Sequence, residues 1–221
     1  MLLPQFDALY RRRHEAEALS ECVRALREVP NEFEWLWRRA RLDHFRAMQA
    51  EDAGSPDEAK TLYAQGAASA NAAQKLEGAR VEGAFWSGVC ELEAARLGGK
   101  LALLGALNRA TKSVQRSARI DEGFHFAGPL RVLGRITHQK PLALGGSLDG
   151  AIAFYERALQ IAPGNSTNWL YFADALLVDR QPKRAREALA QVLSASDATN
   201  WAWETARDQK MAQEWLASRF D

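Results

Sequence analysis

Small, large and polar residues recur at helical spacing along almost the whole chain, and the clearest stretch runs from Ala151 to Ala173. Ala151, Tyr155 and Ala158 fall on one face of a helix, with the tyrosine ring between two small residues that allow another helix to come close. Pro163 ends that helix, Gly164-Asn165 supplies the turn, and Ser166 or Thr167 is placed to cap the next helix, which opens with Trp169, Phe172 and Ala173. The same intervals return as Ala18, Cys22, Ala25 and Pro30, and again as Ala185, Leu189 and Val192. Leu130, Leu133 and Gly134 repeat the first-helix pattern. Weaker copies combine Leu36 and Ala40 with Ala59, Tyr63 and Gly66, and Gly88 with Ala110, Val114 and Ser117.

This grammar resembles the tetratricopeptide repeat, in which a large, an apolar and a small residue on a first helix meet Ala, aromatic, Ala and Pro on a second. The fold class expected is all-α, a TPR-like α-solenoid of about five helix pairs with a C-terminal capping helix. The whole of 1–221 reads as one domain, with the clearest repeats at 130–163 and 166–197 and degenerate ones over 6–125. Helices are predicted over 6–29, 32–51, 55–75, 79–97, 101–120, 130–138, 148–161, 167–178, 182–194 and 201–218. Ser55-Pro56-Asp57-Glu58 reads as a cap, a proline at the first helical position and acidic residues suited to the helix dipole. Trp201, Ala212, Trp215 and Leu216 mark the terminal helix that covers the end of the stack.

Composition narrows the classes of function. A 221-residue chain that is 47% hydrophobic and 26% charged can bury a continuous core. A formal charge of +1, with both signs interspersed, gives no bulk attraction to nucleic acid or anionic membrane. Cys22 and Cys90 lie in helical patterns and read as buried thiols rather than a disulfide or metal pair. No stretch is long enough to span a bilayer, and the opening residues are charged too soon for a secretory leader. As written, the expectation is a cytoplasmic protein; a start lying further upstream would make it periplasmic.

Chemistry-bearing residues are sparse. No Ser/His/Asp or Cys/His arrangement, phosphate loop or dinucleotide fingerprint occurs, so an enzyme is not expected, nor a cofactor or metal. His138, near Lys140, reads as a surface residue. The groove candidates are Trp37 and Trp86, large rings on first helices, with simple core packing as their alternative role. Arg41 and His44 follow Trp37 on the same helix. His125, between two phenylalanines, is placed to line a pocket entrance. Arg131 and Arg135, one turn apart, face either a groove, where they meet a carboxylate, or solvent. Gly145 and Gly146 before Ser147 form either an anion-binding turn or a positive-φ loop capped by Ser147.

A second resemblance rests on Gly128-Pro129-Leu130-Arg131-Val132-Leu133-Gly134, then Pro141 to Gly145-Gly146-Ser147, then the Ala-Tyr-Ala-Pro repeat. With Ala8-Leu9-Tyr10, the segment Glu34-Trp35-Leu36-Trp37-Arg38-Arg39-Ala40-Arg41 and the final helix, it is similar to the TatT proteins associated with TRAP transporters. The Trp-Arg-x-Ala-Arg segment is similar also to the regulator of microtubule dynamics proteins, which lack the Gly-Gly-Ser loop. The TatT resemblance implies a helical protein with an apolar groove or channel for an apolar small molecule, homo-oligomeric, partnered with a periplasmic solute-binding subunit. TatT members are exported or lipid-anchored, whereas no leader or lipidated cysteine precedes Phe6 here. The alternative reading is a cytosolic adaptor that grips a peptide or protein client in its groove.

Overall fold

The computed structural model describes residues 1–196 and 201–220; position 197, the far end of the repeat expected over 166–197, and Asp221 lie outside the described residues. The described residues form eleven α-helices and no strand. In order they are α1 (Leu3–Arg11), α2 (Ala16–Ala25), α3 (Phe33–Asp52), α4 (Pro56–Leu76), α5 (Val81–Leu97), α6 (Lys100–Ile120), α7 (Phe124–Gln139), α8 (Leu148–Ile161), α9 (Ser166–Val178), α10 (Pro182–Ser194) and α11 (Ala202–Arg219). A single 3-10 turn covers Leu142–Leu144. Five pairs and a closing helix are the expected count, and their pairwise packing is solenoid-like.

Two compact units divide the chain, Met1–Asp121 and Glu122–Asp221. In the first, α3, α4, α5 and α6 pack in succession and α3 also touches α5, so consecutive first helices are neighbours. In the second, α7 to α10 pack in succession, α7 touches α9, and α11 lies on α9 and α10. There Ala212 joins the core, with Met211, Trp215 and Leu216 packed against it.

The spacing that announced the repeats is what seals each pair. Every second helix buries one small–large–small triplet or its variant: Ala18/Cys22/Ala25 in α2, Ala59/Tyr63/Gly66 in α4, Ala110/Val114/Ser117 in α6, Ala151/Tyr155/Ala158 in α8 and Ala185/Leu189/Val192 in α10. Two first helices answer the central residue with glycine. A Cβ on Gly134 would lie 2.6 Å from the Tyr155 ring, and one on Gly88 would lie 2.6 Å from Val114. At such separations close-packed interiors have no slack, so only the missing methyl lets the helices meet.

Several local expectations are corrected. The helix expected over 6–29 is two, broken between Arg11 and Ala16. The polar run Arg11-Arg12-Arg13-His14 carries no Gly or Pro signal; the break is tertiary, because Arg13 turns inward against the Tyr10 and Phe45 rings, 4.4 and 4.8 Å from their centroids, and donates to the Tyr10 carbonyl. Ser55 precedes α4 without a side-chain capping bond. The cap of α9 is Asn165, which accepts from the Asn168 amide at 3.1 Å, rather than Ser166 or Thr167, whose hydroxyls are spent on Asp208. The helix expected over 130–138 is the regular part of α7, and it follows a left-handed turn at His125, Phe126 and Ala127 with φ of 52°, 58° and 58°. Cys22 and Cys90 are free buried thiols, as expected.

Candidate functional site

In the first unit the helical register of α3 brings Trp37 and Arg41 together and sets Arg38 between them. The Arg41 guanidinium lies 3.7 Å from the Tyr10 ring centroid and 4.9 Å from that of Trp37, and Arg38 stacks at 4.1 Å on Trp37. Asp7 of α1 receives both: Nε and Nη2 of Arg38 reach its two oxygens at 3.0 and 2.6 Å, and Nη2 of Arg41 donates at 2.8 Å. Glu34 takes Nη1 of Arg38 at 2.6 Å and Nε1 of Trp37 at 2.9 Å. Burial raises the Asp7 carboxyl, but the Arg38 hydrogen bonds and the two cations outweigh it and hold it below its usual range. For Arg41 burial wins and lowers its basicity. These cations are committed to carboxylates of the chain itself.

His44 and Trp86 also meet, ring centroids 5.3 Å apart, with Tyr63 5.5 Å from His44. Trp86 is 1% exposed and packs edge-on against Phe85. Four sequence candidates therefore form two interior pairs.

An open surface of this unit lies elsewhere, in a shallow groove of about 630 Å³ lined by α4, α5 and α6. Its walls are Ala64, Ala67 and Ala68 on α4, Ala94 and Ala95 on α5, and Ala102, Gly105 and Ala106 on α6. At its rim Asn71 accepts from the Ser87 hydroxyl at 2.9 Å, and Glu91 pairs with Arg109 across α5 and α6. Leu101 and Leu104, on the same stretch of α6, are 86% and 56% exposed. Position by position these residues read as ordinary helix formers, and sequence reasoning missed them. The available signal was an absence of charge: none occurs from Thr61 to Gln74 or from Leu101 to Asn108.

In the second unit α7 and α9 place Arg131, Arg135, Asn168, Tyr171 and Asp174 on facing sides. Arg131 does not belong to a solvated face, and Arg135 is partly exposed. Arg131 is 6% exposed, and its Nη1 donates to the Phe126 carbonyl at 3.1 Å and to Asn168 Oδ1 at 2.9 Å. Arg135 pairs with Asp174 at 2.6 Å and lies 5.0 Å from the Tyr171 ring centroid. His138, expected at the surface, instead tucks its ring against α9, with Nδ1 3.9 Å from Asp174. Burial lowers the basicity of His138 against the pull of Asp174. His125 packs on Trp201 at 5.0 Å, and Arg131 approaches the other side of this neighbourhood at 5.5 Å from the same ring.

Gly145 and Gly146 form a turn whose amides are used internally. Gly145 has φ of 86° and donates to Leu142, Gly146 donates to Pro141, and Ser147 donates to Thr137. A Cβ on Gly146 would sit 1.9 Å from the Lys140 carbonyl. Ser147 caps α8 by accepting from the Gly150 amide at 3.0 Å. An anion-binding turn needs free amides, and these are spent.

Successive helix pairs, sealed by buried triplets and lacking any cluster of metal ligands or membrane-length apolar helix among the described residues, define an all-helical repeat-like protein. The chain matches the TRAP transporter T-component family over residues 14–218 and belongs to it. It is thus an accessory component of a TRAP-type transporter. No curated protein matches the chain.

Proposed function

We propose that this T-component is a non-enzymatic binding scaffold that works with a periplasmic solute-binding subunit and receives an apolar solute, or an apolar segment of that subunit, in the groove between α4 and α6. The observation that carries this reading is an open surface of alanine and glycine with two exposed leucines on the same stretch of α6, where a flat or slender apolar group can come close to the helices. The family match favours a transporter subunit as partner over an unrelated peptide client. Homo-oligomers fit the same surface.

Native mass spectrometry of the chain with its co-expressed solute-binding subunit tests this directly. A mass matching the complex, or an apolar molecule retained by the chain, is expected. Ala68→Glu, which places a charge on the groove wall without touching the buried triplet of α4, is expected to abolish both. Recovery of neither in the unaltered chain overturns the reading.

A further inference from the structure

Asp174 of α9 receives basic side chains from two other helices of the 122–221 unit. Arg135 of α7 holds its Oδ2 at 2.6 Å, His138 of α7 brings Nδ1 to 3.9 Å from the same oxygen, and Arg219 of α11 reaches Oδ1 at 3.6 Å. The three grips are unequal. Arg219 comes from the last turn of its helix and its side chain is 44% exposed, so it forms the long, wet ion pair that water replaces at least cost.

His138 is placed to change this balance. Its side chain is 9% exposed, and Nδ1 is buried without a hydrogen-bond partner among the described residues. The charges that act on it are Asp174 from α9 and Arg135 from its own helix. Around them, α8 lays Tyr155 against Gly134 one turn earlier and carries Asp149 in its first turn, α9 adds Tyr171, and Arg219 reaches the histidine through Asp174. Burial, helped by Arg135, outweighs Asp174 and lowers the basicity of the ring below its ordinary value of 6.5. A neutral His138 thus leaves Asp174 to the two arginines. A protonated one donates from both ring nitrogens and sets a third cation against a single carboxylate.

The end of α11 has little else to hold it. The Arg219 guanidinium lies 4.3 Å from the Trp215 ring centroid, and Trp215, Leu216 and Phe220 are only partly buried where they pack on the core of this unit. On the side of α10, Arg186 stacks at 4.7 Å on Phe220 and donates to its carbonyl at 3.5 Å. A terminal turn with few buried contacts opens locally well before the rest of the fold.

We propose that a proton taken up by His138 unlatches the C-terminal end of α11 from Asp174, so that acidification uncovers the apolar side of α9 and α10. Because the folded ring is harder to protonate than the unfolded one, the stability tied to it is present above the ordinary histidine value and declines as pH falls through the lower folded one. Asp208, also on α11, works in the opposite sense, since burial raises its carboxyl and its protonation favours the docked helix.

Hydrogen exchange of the full chain read by mass spectrometry between about pH 7.5 and 4.5, corrected for the intrinsic pH dependence of exchange, tests this in peptides covering 212–220. Protection there is expected to fall about threefold on acidification, the scale of a half-exposed ion pair, and to stay level in His138→Gln. Coupling between two sites is reciprocal, so Arg219→Gln should raise the midpoint of the His138 ring titration, followed by NMR, by about half a pH unit. That second measurement keeps His138 itself and remains decisive if His138→Gln does not fold. Unchanged protection, an equal loss in His138→Gln, or a His138 midpoint that Arg219→Gln leaves in place overturns the proposal.

Discussion

At Gly134 the absence of one methyl group decides whether two helices touch. Gly134→Ala drives a Cβ into the Tyr155 ring, 2.6 Å away, and is expected to lower stability by about 1–3 kcal/mol in urea denaturation. Gly105, inside α6 with nothing within 4 Å of its missing Cβ, should behave oppositely. Gly105→Ala is expected to stabilise by about 0.5–1 kcal/mol, the helix-propensity difference. Asp208 shows the same dependence on surroundings in its titration. Burial pushes its carboxyl up to about 6 against the hydroxyls of Thr167 and Ser166. A folded value above the unfolded one means that the proton-linked stability is fully present below the ordinary carboxyl value of 3.8 and is lost as pH rises through about 6. Asp208→Asn should therefore flatten the fall in melting temperature between pH 4 and 6, read by thermal melts across that range. Glycines and small residues at fixed intervals were legible in the sequence. The inward turn of Arg13, the shared carboxylate of Asp174 and the partners of Arg131 were not, since each depends on residues brought together from other helices.

Helices inherit their limits from such contacts and from caps, and the two sources were unequally readable. Ser147 caps α8, whereas Ser55, with the more persuasive Ser-Pro-Asp-Glu sequence, makes no capping bond. Ser147→Ala should cost about 1 kcal/mol and Ser55→Ala close to none, measured side by side by chemical denaturation. A cap motif states where a helix is free to begin; the backbone angles of the residue before it decide whether the side chain turns back, and those are set by the preceding loop. The pattern of apolar positions likewise gave α3 to α6 and α8 to α11 nearly to the residue, because each carries its own buried stripe. It merged α1 with α2, where the stripe continues in register across a turn held by Arg13. It also gave no sign of the left-handed turn before Leu130, which opposes the preference of every residue in it.

For the whole molecule, each unit contains buried clusters of its own: Phe6, Cys22, Trp35 and Leu42 or Ala59, Leu62 and Tyr63 in one, and Tyr155, Leu170, Phe172, Leu176 and Leu189 in the other. The expected consequence is that fragments 1–121 and 122–221, produced separately, each give a helical circular dichroism spectrum and a cooperative melt. A fragment that stays unfolded would mean that its core depends on the other unit. The family was legible from short motifs scattered over most of the chain, and the match over 14–218 agrees with it. The candidate surfaces were legible only in part. Sequence reasoning sought large aromatic and charged anchors, and the structure spends Trp37, Arg41, His44 and Trp86 inside while leaving alanines outside. A wall of small residues has no distinguishing side chain, so its only trace is the missing charge of two helices.

The triplet that closes each hairpin joins residues only a few tens of positions apart along the chain. Contacts of this range form quickly and do not wait for a remote partner. A ribosome making this protein can thus release it in order, each hairpin shutting soon after its second helix emerges, so that little apolar surface is ever presented to neighbouring chains during synthesis.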